Sequence, residues 1–146
     1  MGANPKAFAF WEKLKGCVVR IIEIWKPNCE ALKAIMGVDA AIDLADIRTV
    51  DITEHYDLAV WWHGPEHVES NEVRPCLEKL EACADHVLIG CPWGDYPQGP
   101  IDGNPHEEHR NPLNPRYFEK KGYTVVTDGE PVRGTEKQGG QIAAWK

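Results

Sequence analysis

The run CVVRIIE at residues 17–23 decides the fold of this chain. It is rich in β-branched residues and too continuously apolar for a half-exposed strand, so it predicts a strand inside a sheet that is covered on both faces. Residues 27–36 follow with helical spacing, with Ala31, Leu32 and Ile35 on the inner face and Gly37 at the end. A second apolar run, AAIDLA at residues 40–45, completes a strand–helix–strand order that is typical of two parallel strands.

The first run ends at an acid, Glu23, and the second is followed directly by an acid, Asp46. Because open α/β sheets bind ligands at the carboxyl ends of parallel strands, both acids are predicted to lie at a ligand edge. After the second strand of a nucleoside-binding fold, an acid is suited to accept hydrogen bonds from ribose hydroxyls, and the next acid can reach an adenine amino group. Two alternatives stay open: Glu23 as a cap of the following helix, and Asp46 as a turn residue.

The rest of the chain continues the alternation of strands and helices. Pro75 indicates that the second long helix either is kinked early or begins only at Arg74. The order predicts an α/β fold, with a mostly parallel sheet flanked by helices and an antiparallel C-terminal hairpin. The predicted strands are residues 56–62, 86–91, 123–127 and 141–145, and the predicted helices are residues 5–14, 70–84 and 116–121.

The composition narrows the class of protein. A length of 146 residues predicts a single domain over 1–146, and neither a membrane-spanning run nor a signal peptide is found, which predicts a cytoplasmic protein. The net charge of -7 argues against sequence-independent nucleic-acid binding. Five cysteines without a CxxC pair indicate reduced thiols and not a disulfide framework.

Histidines and aromatic residues cluster in two polar segments. His63 and His67 flank Glu66 after the strand at 56–62, and either histidine is a candidate general base near the ligand edge. The zincin pattern HExxH requires a continuous helix, which Gly64-Pro65 would break, so no metal ligand is assigned. A site built from these two histidines together with His106 and His109 remains an alternative.

Residues 92–115 form a long aperiodic stretch rich in Pro, Gly, Asn and His. Loops of this length inside compact domains are usually functional or disordered. Because the stretch contains Trp93 and Tyr96, we predict an ordered lid or substrate loop in which these two rings contact the acceptor.

These segments together resemble the class I S-adenosylmethionine-dependent methyltransferases, which have a Rossmann-like sheet. Residues 22–27 (IEIWKP) are similar to the motif after strand 2, and residues 45–48 (ADIR) to the segment that contacts adenine. Residues 56–60, 91–94, 102–109 and 116–123 are similar to strand 4, the strand-5 exit, the substrate loop and the helix before the hairpin. The resemblance implies S-adenosylmethionine as the cofactor. It implies that Glu23 and Ile24 contact the ribose and that Asp46 and Ile47 contact the adenine.

The chain departs from the pattern of this family in three places. Its first residues resemble only the tail of the Gly-rich cofactor loop, with Gly2 kept and with Asn4 and Lys6 where glycines are expected. The family's first strand is not found, so the strands on either side of it must pair directly, or another chain, such as a second copy, must complete the sheet. His63 stands where related sequences often carry an Asp.

The resemblance implies methyl transfer to an unidentified acceptor, impaired if the shortened N-terminus weakens cofactor binding. The acceptor would be placed by a loop with Trp93, Tyr96, Asn104 and His109. Two alternatives from other classes remain. One is a non-catalytic remnant that acts through an oligomer or partner interface, and the other is a small His-dependent metal hydrolase.

Overall fold

The computed structural model describes residues 16–36, 40–132 and 139–146. The predicted helix at 5–14 and the residues Gly2, Asn4, Lys6 and Gly37 lie outside the described residues. The described elements, in chain order, are β1 (Val19–Glu23), α1 (Lys26–Met36), β2 (Ala40–Leu44), β3 (Tyr56–Trp62), α2 (Ser70–Cys83), β4 (Ala84–Pro92), α3 (Pro115–Glu119), β5 (Thr124–Asp128) and β6 (Gln141–Trp145), with 3-10 turns at Pro65–His67 and Pro105–Glu107.

The chain divides into two compact units, Met1–Val50 and Asp51–Lys146. In the first unit, β1 and β2 pair in parallel from Val19 opposite Ala40 to Glu23 opposite Leu44, which confirms the predicted strand–helix–strand order. Leu32 and Met36 of α1 pack against one face of this pair.

β1 is less buried than a strand fully covered on both faces would be. The side chains that pack against α1 belong to alternate positions, Val19 and Ile21 in β1. The opposite face carries Arg20 and Asp43, whose side chains form an ion pair at 2.8 Å. Residues 19–22 are therefore half-buried, and only Glu23 in this strand is buried.

The inner face of α1 also differs from the prediction at one position. Cys29, Leu32 and Met36 are its buried residues, at the i, i+3 and i+7 spacing of one helix face. Ile35, predicted on the inner face, is 46 % exposed. The apolar stripe is thus rotated toward Cys29, whose thiol lies 3.5 Å from the backbone oxygen of Glu23.

The second unit is built on a four-stranded sheet with the order β3-β4-β6-β5. β3 and β4 pair in parallel, whereas β6 pairs antiparallel with both β4 and β5. This arrangement confirms the predicted α/β sheet with parallel strands and an antiparallel C-terminal hairpin. Ile89 in β4, Ile142 in β6 and Phe118 in α3 are fully buried and belong to its core.

α2 begins at Ser70, not at Arg74, although Pro75 lies inside it. A reciprocal capping box between Glu69 and Glu72 stabilises its first turn. Pro75 is early enough in the helix to remove only one intrahelical backbone hydrogen bond. Among the described residues, no helix combines the length and apolarity needed to cross a bilayer.

Candidate functional site

The turn after β3 carries an acid into the interior of the second unit. The amide of His63 donates to the oxygen of Gly90 at 2.8 Å, so His63 still follows the β3–β4 ladder. Its φ of +50° then turns the chain through the left-handed region. Gly64 must stay small, because a Cβ there would come within 2.0 Å of Nε1 of Trp61. The 3-10 turn that follows places Glu66 in the interior, with its side chain 3 % exposed.

The long loop between β4 and α3 is tied to this turn by hydrogen bonds. The amide of Arg110 donates to the backbone oxygen of Glu66 at 2.8 Å. The side chain of Asn111 donates to the oxygen of Pro65 at 3.3 Å. Within the loop, the amide of His109 donates to the backbone oxygen of Gln98 at 2.9 Å. These bonds order residues 98–111 over the Glu66 turn.

The Glu66 carboxylate is only partly satisfied. Its Oε1 lies 3.0 Å from Nδ1 of His63 and 3.9 Å from Nε2 of His67. Its buried Oε2 has no hydrogen-bond partner among the described residues. A buried polar atom left without a partner costs about 1–3 kcal/mol, and more when it is charged.

Glu66, His67 and His109 converge in space. Each offers one oxygen or nitrogen ligand atom, and these three atoms lie within 4.8 Å of one another. The rings of His67 and His109 have centroids 4.9 Å apart and an interplanar angle of 69°. Of the four histidines that the sequence left as an alternative metal site, the structure thus brings two together. His63 and His106 are not members of this group.

Both imidazoles of the group are oriented in the same way. Nδ1 of His67 lies 3.2 Å from the backbone oxygen of Glu108, and Nδ1 of His109 lies 2.7 Å from that of Tyr96. A carbonyl only accepts, so each Nδ1 carries a proton, and Nε2 is the nitrogen that a neutral ring would offer to a ligand. Burial lowers the pKa of His109 below its ordinary value, which favours this neutral form.

A cavity of about 180 Å³ opens beside the group. Its lining residues are Glu66, Pro92, Gly94, Asp95, Tyr96, Pro97, His109, Arg110, Asn111 and Pro112. The predicted loop residues Tyr96 and His109 therefore face one small polar cavity at the carboxyl end of β4. Burial and the charge of Glu66 raise the pKa of Cys91, at the end of this strand, far above its ordinary value, so this thiol stays protonated.

The other predicted loop residues have different surroundings. Asn104 is buried, and its Oδ1 accepts a hydrogen bond from the amide of His106 at 2.9 Å, which caps the 3-10 turn Pro105–Glu107. Trp93 is half-buried, and its backbone pairs with Gly140 and Val132. Neither residue is among those that line the cavity.

The predicted cofactor acids lie in the first unit and have protein partners. Glu23 is 2 % exposed, and its Oε1 accepts a hydrogen bond from the amide of Trp25, just before α1, at 2.7 Å. Asp46 binds the guanidinium of Arg48 through both oxygens, at 2.6 to 3.0 Å. Ile24 and Ile47 beside these acids are half-buried.

Sequence reasoning missed Glu66 as the centre of the site. In the sequence, Glu66 stands out only as the residue between two histidines, because the burial of a carboxylate cannot be read from a polar turn. The available signal was the spacing His63-x-x-Glu66-His67. In a tight turn this spacing places the ring of His63 within hydrogen-bond distance of the Glu66 carboxylate.

No family model and no curated protein matches this sequence. Solved methyltransferase structures do match the coordinates. DhpI in complex with SAM and HEP shares 10 % identity over 94 % of this chain and 73 % of its own, with a TM-score of 0.66. TehB from Haemophilus influenzae shares 12 % over 99 % of this chain and 54 % of its own, with a TM-score of 0.70. The N-methyltransferase NodS from Bradyrhizobium japonicum shares 14 % over 94 % and 78 %, with a TM-score of 0.62. At these identities the likeness establishes the fold, which is that of class I S-adenosylmethionine-dependent methyltransferases.

Proposed function

We propose that this protein transfers a methyl group from S-adenosylmethionine to a small acceptor. The observation that carries the proposal is the fold, which matches solved methyltransferases over 94 to 99 % of the chain. Several of those structures hold S-adenosylmethionine or S-adenosylhomocysteine. Fold alone does not determine chemistry, so the assignment depends also on the acids after β1 and β2.

Glu23 is the residue proposed to hold the ribose. The hydrogen bond from the amide of Trp25 fixes one of its oxygens at the carboxyl end of β1. An ionised carboxylate has about four acceptor positions, so this bond is compatible with further bonds from two ribose hydroxyls. The bond to the Trp25 amide and the ribose contact are then two uses of one side chain.

Asp46 is the residue proposed to face the adenine, with Ile47 as an apolar neighbour of the base, while Ile24 stays with Glu23 on the ribose side. The bidentate bond to Arg48 holds the Asp46 carboxylate at the end of β2. Asp46 also accepts from the amide of Arg48 at 2.9 Å, as a turn residue does. Gly2, which the resemblance assigns to the cofactor loop, lies outside the described residues.

The acceptor is proposed to enter the cavity beside Tyr96 and His109. In methyl transfer, a lone pair of the acceptor forms the new bond to the methyl carbon. The sulfur–carbon bond breaks, and its electron pair stays on sulfur as S-adenosylhomocysteine. Positioning and exclusion of water supply much of the rate in such a displacement. His67 or His63 is the proposed base for a proton that the acceptor releases.

Calorimetry with S-adenosylhomocysteine tests the proposal directly. We expect micromolar binding that weakens about 10- to 100-fold in Glu23→Gln, because ribose hydrogen bonds to a charged acceptor are worth about 1.5–3 kcal/mol. Glu30→Gln on the exposed side of α1 is the matched control and should bind as the unaltered chain does. Circular dichroism of both variants checks that they are folded.

A result of no binding at millimolar ligand to the unaltered chain would refute the methyltransferase proposal. It would favour the non-catalytic alternative, in which the fold acts through an interface. Equal weakening in both variants would instead remove Glu23 from the cofactor site.

A further inference from the structure

We propose that Glu66, His67 and His109 bind a divalent transition-metal ion, of which Zn²⁺ is the simplest case. The three ligand atoms lie within 4.8 Å of one another. Two imidazoles and one carboxylate form a donor set that Zn²⁺ and other first-row ions accept, and such a set leaves a coordination position open. With metal–ligand bonds of about 2.0–2.2 Å, the ligand atoms of a tetrahedral ion stand about 3.4 Å apart, so the three side chains would draw together when the ion binds.

The outer contacts of the two histidines support this assignment. Metal-binding histidines nearly always donate their second ring N–H to a carbonyl or carboxylate, which fixes the tautomer and the ring. His67 does this with Glu108, and His109 does it with Tyr96. Both carbonyls belong to the ordered loop, so the loop fixes the two imidazoles with Nε2 as the remaining donor.

The second, independent observation is the unsatisfied oxygen of Glu66. Its Oε2 is buried and has no hydrogen-bond partner among the described residues, in a side chain that is 3 % exposed. His67 does not satisfy this carboxylate, because its Nε2 lies 3.9 Å from Oε1, beyond hydrogen-bond distance. A cation between the Glu66 carboxylate and Nε2 of His67 would bind to both side chains.

The neighbouring charges also favour a cation. Glu107 places a second carboxylate oxygen 4.0 Å from Nε2 of His67. The guanidinium of Arg110, which also lines the cavity, pairs with Glu108 at 3.3 Å and with Glu69 at 3.6 Å. His63 supports Oε1 of Glu66 from outside the group at 3.0 Å, as an outer residue that orients a ligand would.

The cavity indicates what the ion would do. Glu66 and His109 line it, so an open coordination position would be accessible to a small molecule there. An acceptor with a hydroxyl or carboxylate oxygen is the class that such an ion would orient, and with His67 on the ion the base of the proposed methyl transfer would be His63. This acceptor class rests on the proposed methyl transfer, whereas binding of the ion does not.

The test is metal binding by the full chain after removal of metal with a chelator. Calorimetry with Zn²⁺ alone should give one ion per chain, and Co²⁺ should give the visible absorption of a low-symmetry site. His109→Ala and Glu66→Gln should each weaken binding at least about 100-fold, and His63→Ala about 10-fold. His106→Ala, in the same loop but outside the group, is the matched control and should bind Zn²⁺ unchanged.

Substoichiometric binding by the folded chain, or equal binding by the His109→Ala and His106→Ala variants, would overturn the site. S-adenosylhomocysteine calorimetry on the same variants separates the two proposals. Zinc binding without binding of S-adenosylhomocysteine would keep the metal site and reject the methyltransferase. The converse would reject only the metal site.

Discussion

Two tyrosine hydroxyls of this molecule differ in their hydrogen bonding. The hydroxyl of Tyr123 donates to Glu81 at 2.8 Å. The buried hydroxyl of Tyr117 has no partner among the described residues. Burial raises the pKa of Tyr117, which is the expected effect of desolvation on a group that ionises to an anion.

We therefore expect Tyr117→Phe to leave the free energy of unfolding unchanged or to raise it by about 1 kcal/mol, because it removes an unsatisfied buried hydroxyl. Tyr123→Phe is the matched substitution and should lower the free energy by about 1.5–3 kcal/mol, because it removes a hydrogen bond to a charged group. Urea denaturation of both variants measures the difference. A larger loss for Tyr117→Phe than for Tyr123→Phe would contradict this account.

At the residue scale, the site could be predicted only in part from the sequence. His67 could be named because it follows a strand at the predicted ligand edge, and Tyr96 and His109 could be named because they lie in the long aperiodic loop. Their convergence could not, since His67 and His109 come from distant parts of the chain. They meet where the long loop is held against the Glu66 turn, by the amide of Arg110 on the backbone oxygen of Glu66 among other bonds.

At the scale of the element, β3 and β4 show why strand bounds were predictable. The apolar run at 56–62 coincides with β3, and β4 contains the run at 86–91. In β1 the apolar run concealed an alternation, because Arg20 and Asp43 lie together on the face away from α1. A single charge in an apolar run was therefore the signal for a half-buried strand.

Gly90 in β4 leaves room for the ring of Trp62 in β3. Trp62 lies opposite Gly90, and a Cβ at Gly90 would come within 2.3 Å of the indole ring. We expect Gly90→Ala to lower the free energy of unfolding by about 1–3 kcal/mol, as overpacking does. In a Trp62→Ala background the same change should cost much less.

Thermal unfolding of the four proteins of this double-mutant cycle gives the coupling between the two positions. Strictly additive losses would show that the contact with Trp62 is not the reason for the glycine. A destabilising Gly90→Ala that Trp62→Ala relieves would establish it.

At the scale of the whole molecule, β3 is an end strand of the sheet in the second unit. Leu58 and Val60 in this strand are 52 % and 43 % exposed. Being two residues apart, these side chains lie on one face of the strand, and an end strand with an apolar exposed face is a place where another chain can pair and pack. We propose that a second copy of this chain pairs there, as expected for a sheet that a partner completes.

Sedimentation should then show a dimer whose affinity falls in Leu58→Lys and Val60→Lys. Val126→Lys is the control, because Val126 lies in β5 at the other end of the sheet and is equally exposed at 52 %. A monomer at all concentrations would refute the pairing. A loss of dimer with Val126→Lys alone would move the interface to β5.

Because β6 lies between β4 and β5, the sheet can be completed only after the last strand of the chain has been synthesised. β4 and β5 are made first, yet each of them lacks its pairing with β6 until that last strand has been inserted between them. A nascent chain that has emerged from the ribosome only as far as residue 132 carries two strands with unfilled edges. Domains made at about 5–20 residues per second expose such edges for seconds, which is long enough to engage a chaperone.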